Sequence, residues 1–398
     1  MSDAVPRDSP AGSLIQPLSA GLLVGIVGYA STFALVLKGL QAVGATQEQA
    51  ASGLLAILVV KGLLAIGLSL RTRMPISIAW STPGAALLIA TGVPEGGFPV
   101  AVGAFLVVAG LVVAAGLWSP FGRAVAAIPI TLASAMLGGI LFGLCTAPVR
   151  AVATLPALAL PVVVVWALAL RFARPYAVPL AVLLTGIVVA VATPVPAGML
   201  ADLVPHPIAV MPRFTLDAVI GIAIPLFVVT MASQNVPGLA VLHANGYRPS
   251  VGMLFVSTGI ASALSAVFGG HTVNLAAITA ALCAGPEAHP DPARRYVAGV
   301  TAGATYVALG LLASFAAAFV AASPPLLIES VAGLALLGSL AGALQTALSR
   351  EDERLPAIVT FVTAASGTTF FGIGSAFWGL VAGGLLLAIL RSGPPVRS

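Results

Sequence analysis

Charge is scarce in this sequence: only 7% of its 398 residues are Asp, Glu, Lys or Arg. Water-soluble domains carry about 25%, so a soluble fold is excluded. Cysteine is scarcer still. Cys145 and Cys283 both lie in apolar segments, which leaves no disulfide framework and no thiolate metal site. Carboxylates are missing from the apolar interiors. Asp3, Asp8, Glu48, Glu95, Asp202, Glu351, Asp352 and Glu353 lie in tails or loops, and Asp217 and Glu329 near the starts of apolar runs. No Ser/His/Asp arrangement and no metal-ligand cluster is present, which argues against an enzyme and against any metal or cofactor. What remains is hydrocarbon: 59% of residues are hydrophobic and the mean hydropathy is +1.11.

Crossing a bilayer as a helix takes about 20 apolar residues. The apolar runs divide into fourteen spans, at 16–40, 48–70, 76–91, 98–118, 123–145, 151–171, 176–194, 215–234, 250–268, 271–284, 295–320, 325–348, 356–371 and 373–391. The third, tenth and thirteenth are short for a full crossing. With the N-terminus in the cytoplasm, Arg7, Arg71, Arg73, Arg123, Arg171, Arg174, Arg248, Arg294, Arg295, Arg350, Arg354, Arg391 and Arg397 all fall inside. Only Arg150 and Arg213 fall outside, while Lys38 and Lys61 lie within or at the ends of spans. That bias obeys the positive-inside rule, and losing one span would flip every later loop. It also accounts for the basic pI of about 9.7 without nucleic acid.

The expected fold is an all-α membrane protein of 14 transmembrane segments with both termini cytoplasmic. A tail (1–15) precedes a first seven-span repeat (16–194). A periplasmic linker (195–214) leads to a second repeat (215–391) and a last tail (392–398). Residues 1–16 are polar and proline-bearing and carry no cleavable signal pattern. Seven is odd, so the second repeat is inverted relative to the first. Both third spans are broken: 76–86 reads Ile-Ser-Ile-Ala-Trp-Ser-Thr-Pro-Gly-Ala-Ala, and 268–284 opens Phe-Gly-Gly-His-Thr-Val-Asn. Matching interrupted segments in inverted halves point to a transporter's binding site.

The chemistry of these breaks suits an anion. Ser81 or Thr82 can N-cap a half-helix with Pro83 at its first position, and Thr272 or Asn274 can cap the other. Helix N-termini that face each other offer free N–H groups and partial positive charge. Kinked, packed helices are the alternative reading. Ser233, Gln234 and Asn235 end the eighth span, either lining the site or surfacing at the cytoplasmic face. Tyr29 and Trp80 can pack against a ring. His271 titrates in the range that proton coupling needs, or serves as a cap; Lys61 can snorkel or meet a carbonyl. Asp291 before Pro292 reads as an N-cap, and Arg294 or Arg295 can pair with Glu287 or Asp291.

Three segments carry a family resemblance: Met-Ala-Ser-Gln-Asn-Val-Pro-Gly (231–238), Phe-Gly-Gly-His-Thr-Val-Asn-Leu-Ala-Ala-Ile-Thr-Ala-Ala (268–281) and Glu-Ala-His-Pro-Asp-Pro-Ala-Arg-Arg-Tyr (287–296). Together they resemble the benzoate:proton symporter (BenE) family, a distant relative of uracil permease and the nucleobase–ascorbate transporters. The resemblance implies a bacterial inner-membrane carrier that imports benzoate with a proton. It also implies a 7+7 inverted repeat, with a core domain of spans 1–4 and 8–11 and a gate domain of spans 5–7 and 12–14. The nucleobase carriers place glutamates in spans 8 and 10. Here Gln234 and the apolar surroundings of Ile278 stand instead, which favours an anionic ligand and removes the obvious proton carrier.

The expected substrate-binding residues are Tyr29, Trp80, Ser81, Thr82, Ser233, Gln234, Asn235, His271, Thr272 and Asn274, with His271 as the candidate for proton coupling. The expected partners are an aromatic carboxylate, protons and the bilayer, with a homodimer as the assembly this scheme allows. An anion channel or uniporter, or a carrier of another aromatic acid or a nucleobase, is the rival reading.

Overall fold

The computed structural model describes residues 14–118, 120, 129–192, 204–276, 279–371 and 373–392. Ile278, Arg7, Arg123, Arg397, both extreme tails and residues 195–203 of the linker lie outside them. The protein is a mostly helical membrane protein. Among the described residues eight helices are long and apolar enough to cross a membrane, or nine if the pair Pro292–Gly310 and Ala313–Ala322, bent by 61°, counts as one span.

The first span is two helices, α1 (Ile15–Ala30) and α2 (Phe33–Ala42), broken at Ser31 and Thr32. A capping box starts α3 (Gln47–Thr72): Thr46 Oγ1 accepts from Gln49 N, and the Gln49 side chain accepts from Thr46 N. Next come strand β1 (Ile78–Trp80), half-helix α4 (Thr82–Thr91) and α5 (Phe98–Leu117). A peripheral group follows: α6 (Ile130–Cys145), α7 (Ala147–Thr154), α8 (Pro156–Phe172) and α9 (Ala177–Ala192). The second half opens with α10 (Leu216–Ala244), then α11 (Val251–Ala266), strand β2 (Val273–Leu275) and the short α12 (Ala280–Ala284). It closes with α13 (Tyr296–Gly310), α14 (Ala313–Ala322), α15 (Pro325–Ala347), α16 (Arg354–Ala365) and α17 (Ser375–Ser392).

Two strands depart from the all-α expectation. β1 and β2 run antiparallel, pairing Ile78 with Leu275, Ala79 with Asn274 and Trp80 with Val273. Bonds from Ser81 N to Thr272 O (3.2 Å) and from Ala276 N to Ser77 O (2.9 Å) extend the ladder at both ends. Extended backbone at membrane depth must be satisfied by protein. The outer edge of β2 therefore meets side chains: Ser262 Oγ accepts from Val273 N (2.9 Å) and Asn235 Oδ1 from Leu275 N (2.9 Å). Helix α10 carries two π-turns, Val219–Ala223 and Met231–Asn235, each followed closely by a proline, Pro225 and Pro237. A proline removes an N–H from the helical ladder, and the widened turn absorbs that loss.

Helices pack closest at glycine. A Cβ on Gly62 of α3 would stand 2.6 Å from the Gly303 carbonyl of α13, and one on Gly252 of α11 would stand 2.8 Å from the Gly116 carbonyl of α5. Small residues allow such backbone approach where lipid supplies no hydrophobic drive between helices.

Candidate functional site

Half-helix α4 starts as its sequence dictates. Ser81 Oγ accepts from Gly84 N (3.1 Å), and Pro83 stands in the first turn. Ser81 is fully buried, and Thr230 of α10 donates to its Oγ at 2.9 Å. The other cap is different. α12 has Thr279 at its N-cap with no side-chain bond, so neither Thr272 nor Asn274 caps it. Both belong to the strand crossing instead. The Asn274 amide, oriented by its partners, accepts from Ser81 N (2.9 Å) and donates to Leu275 O (2.8 Å). Thr272 supplies the carbonyl that Ser81 N meets. Asn235 clamps β2 as described. A strand in the apolar interior needs these groups more than a short helix start does.

Two adjoining cavities, of about 410 and 820 Å³, share Arg174, Val178, Gln234, Ala335 and Ser339 in their walls. The smaller is within the size range of small-ligand sites. Its wall includes Gly28, Ser31 and Thr32 at the α1–α2 break, Lys61, Trp80, Thr82, Thr279 and Tyr306, and it faces Leu336 of α15. The larger takes in Pro83, Ser233, Trp166 and Gly342, and runs toward Thr346 at the end of α15. Among the described residues no Asp or Glu lines either cavity, whereas Lys61 and the exposed Arg174 do.

Of the ten sequence candidates, Trp80, Thr82, Ser233 and Gln234 line the cavities, while Ser81, Asn235, Thr272 and Asn274 hold the crossing. Tyr29 stacks on Phe33 with centroids 5.0 Å apart and tilts against Trp80 at 6.4 Å. His271 is fully buried and lines neither cavity; both its ring nitrogens are without a hydrogen-bond partner among the described residues.

Lys61 does not snorkel, and it meets no carbonyl among the described residues. It is 1% exposed, and its Nζ stands 3.6 Å from the ring centroids of both Trp80 and Tyr306. The faces of the two rings flank the amine and attract its charge when it is protonated. Trp80 Nε1 is fixed in turn by a bond to Thr32 Oγ1 (2.9 Å). Tyr306 and Ser339 went unnoticed in the sequence, because each is an ordinary polar or aromatic residue on an apolar helix, and Ser31 and Thr32, beside Tyr29, are not among the sequence candidates. Only the break at 31–32 offered a signal.

The loop before α13 is structural. Asp291 caps the turn Pro292–Arg294, accepting from Ala293 N (2.9 Å), and pairs with Arg294 at 3.7 Å. Buried Arg295 makes no carboxylate pair among the described residues. It donates to the carbonyls of His289 (2.6 Å), Ala284 (2.9 Å) and Pro290 (3.2 Å), which places a cation on the last carbonyl of α12.

Broken helices around a crossed strand pair, with a cavity between them and a second helix group, define the fold of this membrane protein. Solved structures share it at low identity. The murine Solute Carrier 26 family member A9 anion transporter in the inward-facing state matches with a TM-score of 0.63 at 15% identity, over 98% of this chain and 70% of that one. The transmembrane domain of the cyanobacterial bicarbonate transporter BicA matches with a TM-score of 0.54 at 16% identity, over 95% and 98%. The family described as "Benzoate membrane transport protein" (BenE) matches residues 13–389, and the chain belongs to it. It is 41% identical over 382 residues to the Inner membrane protein YdcO of Escherichia coli (strain K12), covering 94% of this chain and 95% of that protein. It is 32% identical over 375 residues to the Benzoate membrane transport protein of Acinetobacter baylyi (strain ATCC 33305 / BD413 / ADP1), covering 93% and 94%.

Proposed function

We propose that the chain is a secondary active transporter of the bacterial inner membrane that imports benzoate, or a close aromatic carboxylate, by proton symport. One observation carries this reading: a small-ligand cavity walled by aromatic and apolar groups contains a buried amine and, among the described residues, no carboxylate. Its charge suits an anion, and its Trp80, Tyr306 and Leu336 surfaces suit a ring. The benzoate membrane transport protein among its relatives and the anion and bicarbonate transporters that share its fold agree with it. The carboxylate would sit between Lys61 and the start of α4 near Thr82, with the Gln234 amide beside it.

The 7+7 inverted repeat is part of the proposal. Exchanging the halves turns the α3–α13 crossing (spans 2 and 11) into the α11–α5 crossing (spans 9 and 4). Each is built on a glycine pair, Gly62 with Gly303 and Gly252 with Gly116. In the same scheme the larger cavity runs toward the arginine-rich, cytoplasmic end, near Arg174 and Thr346, so this is an inward-open form.

Uptake of radiolabelled benzoate into proteoliposomes tests the function. An inward proton gradient should drive accumulation and uncoupler should abolish it. Uptake indifferent to the gradient would remove symport, and currents without saturation would favour a channel.

A further inference from the structure

The sequence singled out His271 for the proton, but His271 lines neither cavity. Lys61 does line the smaller one, and its surroundings are unusual. Two aromatic faces flank Nζ at 3.6 Å each, and no carboxylate pairs with it among the described residues. An ammonium has three N–H donors. Ring faces attract the charge but offer no acceptor oxygen, so donor capacity is left for whatever enters the cavity. Burying an unpaired charge is costly, and burying a charge that is paired and hydrogen-bonded is far less so. Protonation of this amine and arrival of a carboxylate therefore favour each other.

We infer that Lys61 is both the counter-ion of the transported carboxylate and the carrier of the symported proton, the two entering as one neutral ammonium–carboxylate pair. This rests on the carboxylate-transport reading above. The step balances without a further reagent. A neutral amine, one proton and one carboxylate anion give one ion pair. On the other side the carboxylate leaves, the ammonium returns its proton to water, and the empty carrier resets with a neutral amine. Other titratable groups surround Lys61. Tyr306 faces it from α13 with Cys283 of α12 behind, His271 approaches from the segment before β2, Tyr29 lies beyond Trp80, and Arg174 stands across the cavity. Of these only Lys61, Tyr306 and Arg174 line the cavity, and Arg174 is exposed where Lys61 is buried.

The test measures benzoate binding to purified full-length protein in weakly buffered detergent, with a pH dye reporting protons taken up per benzoate bound. Wild type should take up one proton, and its Kd should rise about tenfold per pH unit at alkaline pH. Lys61→Arg, whose charge is permanent, should bind benzoate with no proton uptake and a flat pH profile. Lys61→Gln should bind about tenfold to a hundredfold more weakly, also without proton uptake. Proton uptake that persists in either variant, or none in wild type despite binding, overturns the assignment while leaving benzoate transport intact. Failure of wild type to bind benzoate at any pH withdraws the transport reading and this inference with it.

Discussion

At the scale of single residues, local chemistry was legible and distant partnership was not. Ser81 and Pro83 announce the start of α4, because a cap and its helix are neighbours in sequence. Asn235 stood out for its polarity in an apolar span, yet its partner, the Leu275 N–H, arrives from another element. Nothing near residue 235 names it. The same holds for Lys61, whose second aromatic wall, Tyr306, comes from the other half of the chain. The role given to Asn235 has a direct consequence. Asn235→Ala strands a fully buried N–H at the strand edge, which should cost about 1–3 kcal/mol. The thermal unfolding midpoint of the purified protein should drop accordingly. An unchanged midpoint would mean that the Leu275 N–H finds another acceptor.

At the scale of elements, the sequence located the breaks but not their form. Residues 76–91 and 271–284 were recognisable as short and interrupted; that they pair as strands depends on a register between two remote segments. The helix crossings obey a similar logic. Gly62 and Gly67 sit on the same helix, but only Gly62 faces a backbone, since a Cβ on Gly67 would meet nothing within 4 Å. Gly62→Ala should therefore destabilise by roughly 1–3 kcal/mol through overpacking. Gly67→Ala should be neutral or mildly stabilising. Equal midpoints for the two variants would refute close approach at the α3–α13 crossing. A second joint escaped the sequence, which left Glu353 in a loop. It is 1% exposed and ties three elements together: Thr131 of α6 donates to it (2.5 Å), as do Arg350 (3.3 Å) and Arg391 of α17 (2.5 Å). Thr131→Val removes one charge-assisted bond and should lower stability by roughly 1.5–3 kcal/mol. The same thermal measurement checks it, and no loss would mean that the arginines alone hold the carboxylate.

At the scale of the whole molecule, the topology proposed here rests on arginine placement and not on the amphipathic pattern, because spans buried in lipid or protein are apolar all round. Which helix groups would serve as core and gate in the proposed scheme was not written in any local stretch. The structure supplies one bridge between them: Lys38 of α2 pairs with Glu329 of α15 at 3.1 Å and also donates to the Pro325 carbonyl. In the proposed topology this pair joins core to gate on the external side, while the cavity runs toward the cytoplasm. An ion pair there should hold the external side shut and bias the empty carrier inward. Glu329→Gln leaves Lys38 its carbonyl partner, so the fold should persist while the bias weakens. A partly buried pair of this kind contributes roughly 0.5–1 kcal/mol, a two- to fivefold shift in population. Ser339 lines both cavities and both native cysteines are buried, so a Ser339→Cys background reports access to the site. A membrane-impermeant maleimide applied outside intact cells should label that cysteine about two- to fivefold faster when Glu329→Gln is added, and benzoate should slow the reaction. External labelling unchanged by Glu329→Gln would mean that the pair does not hold the external side shut.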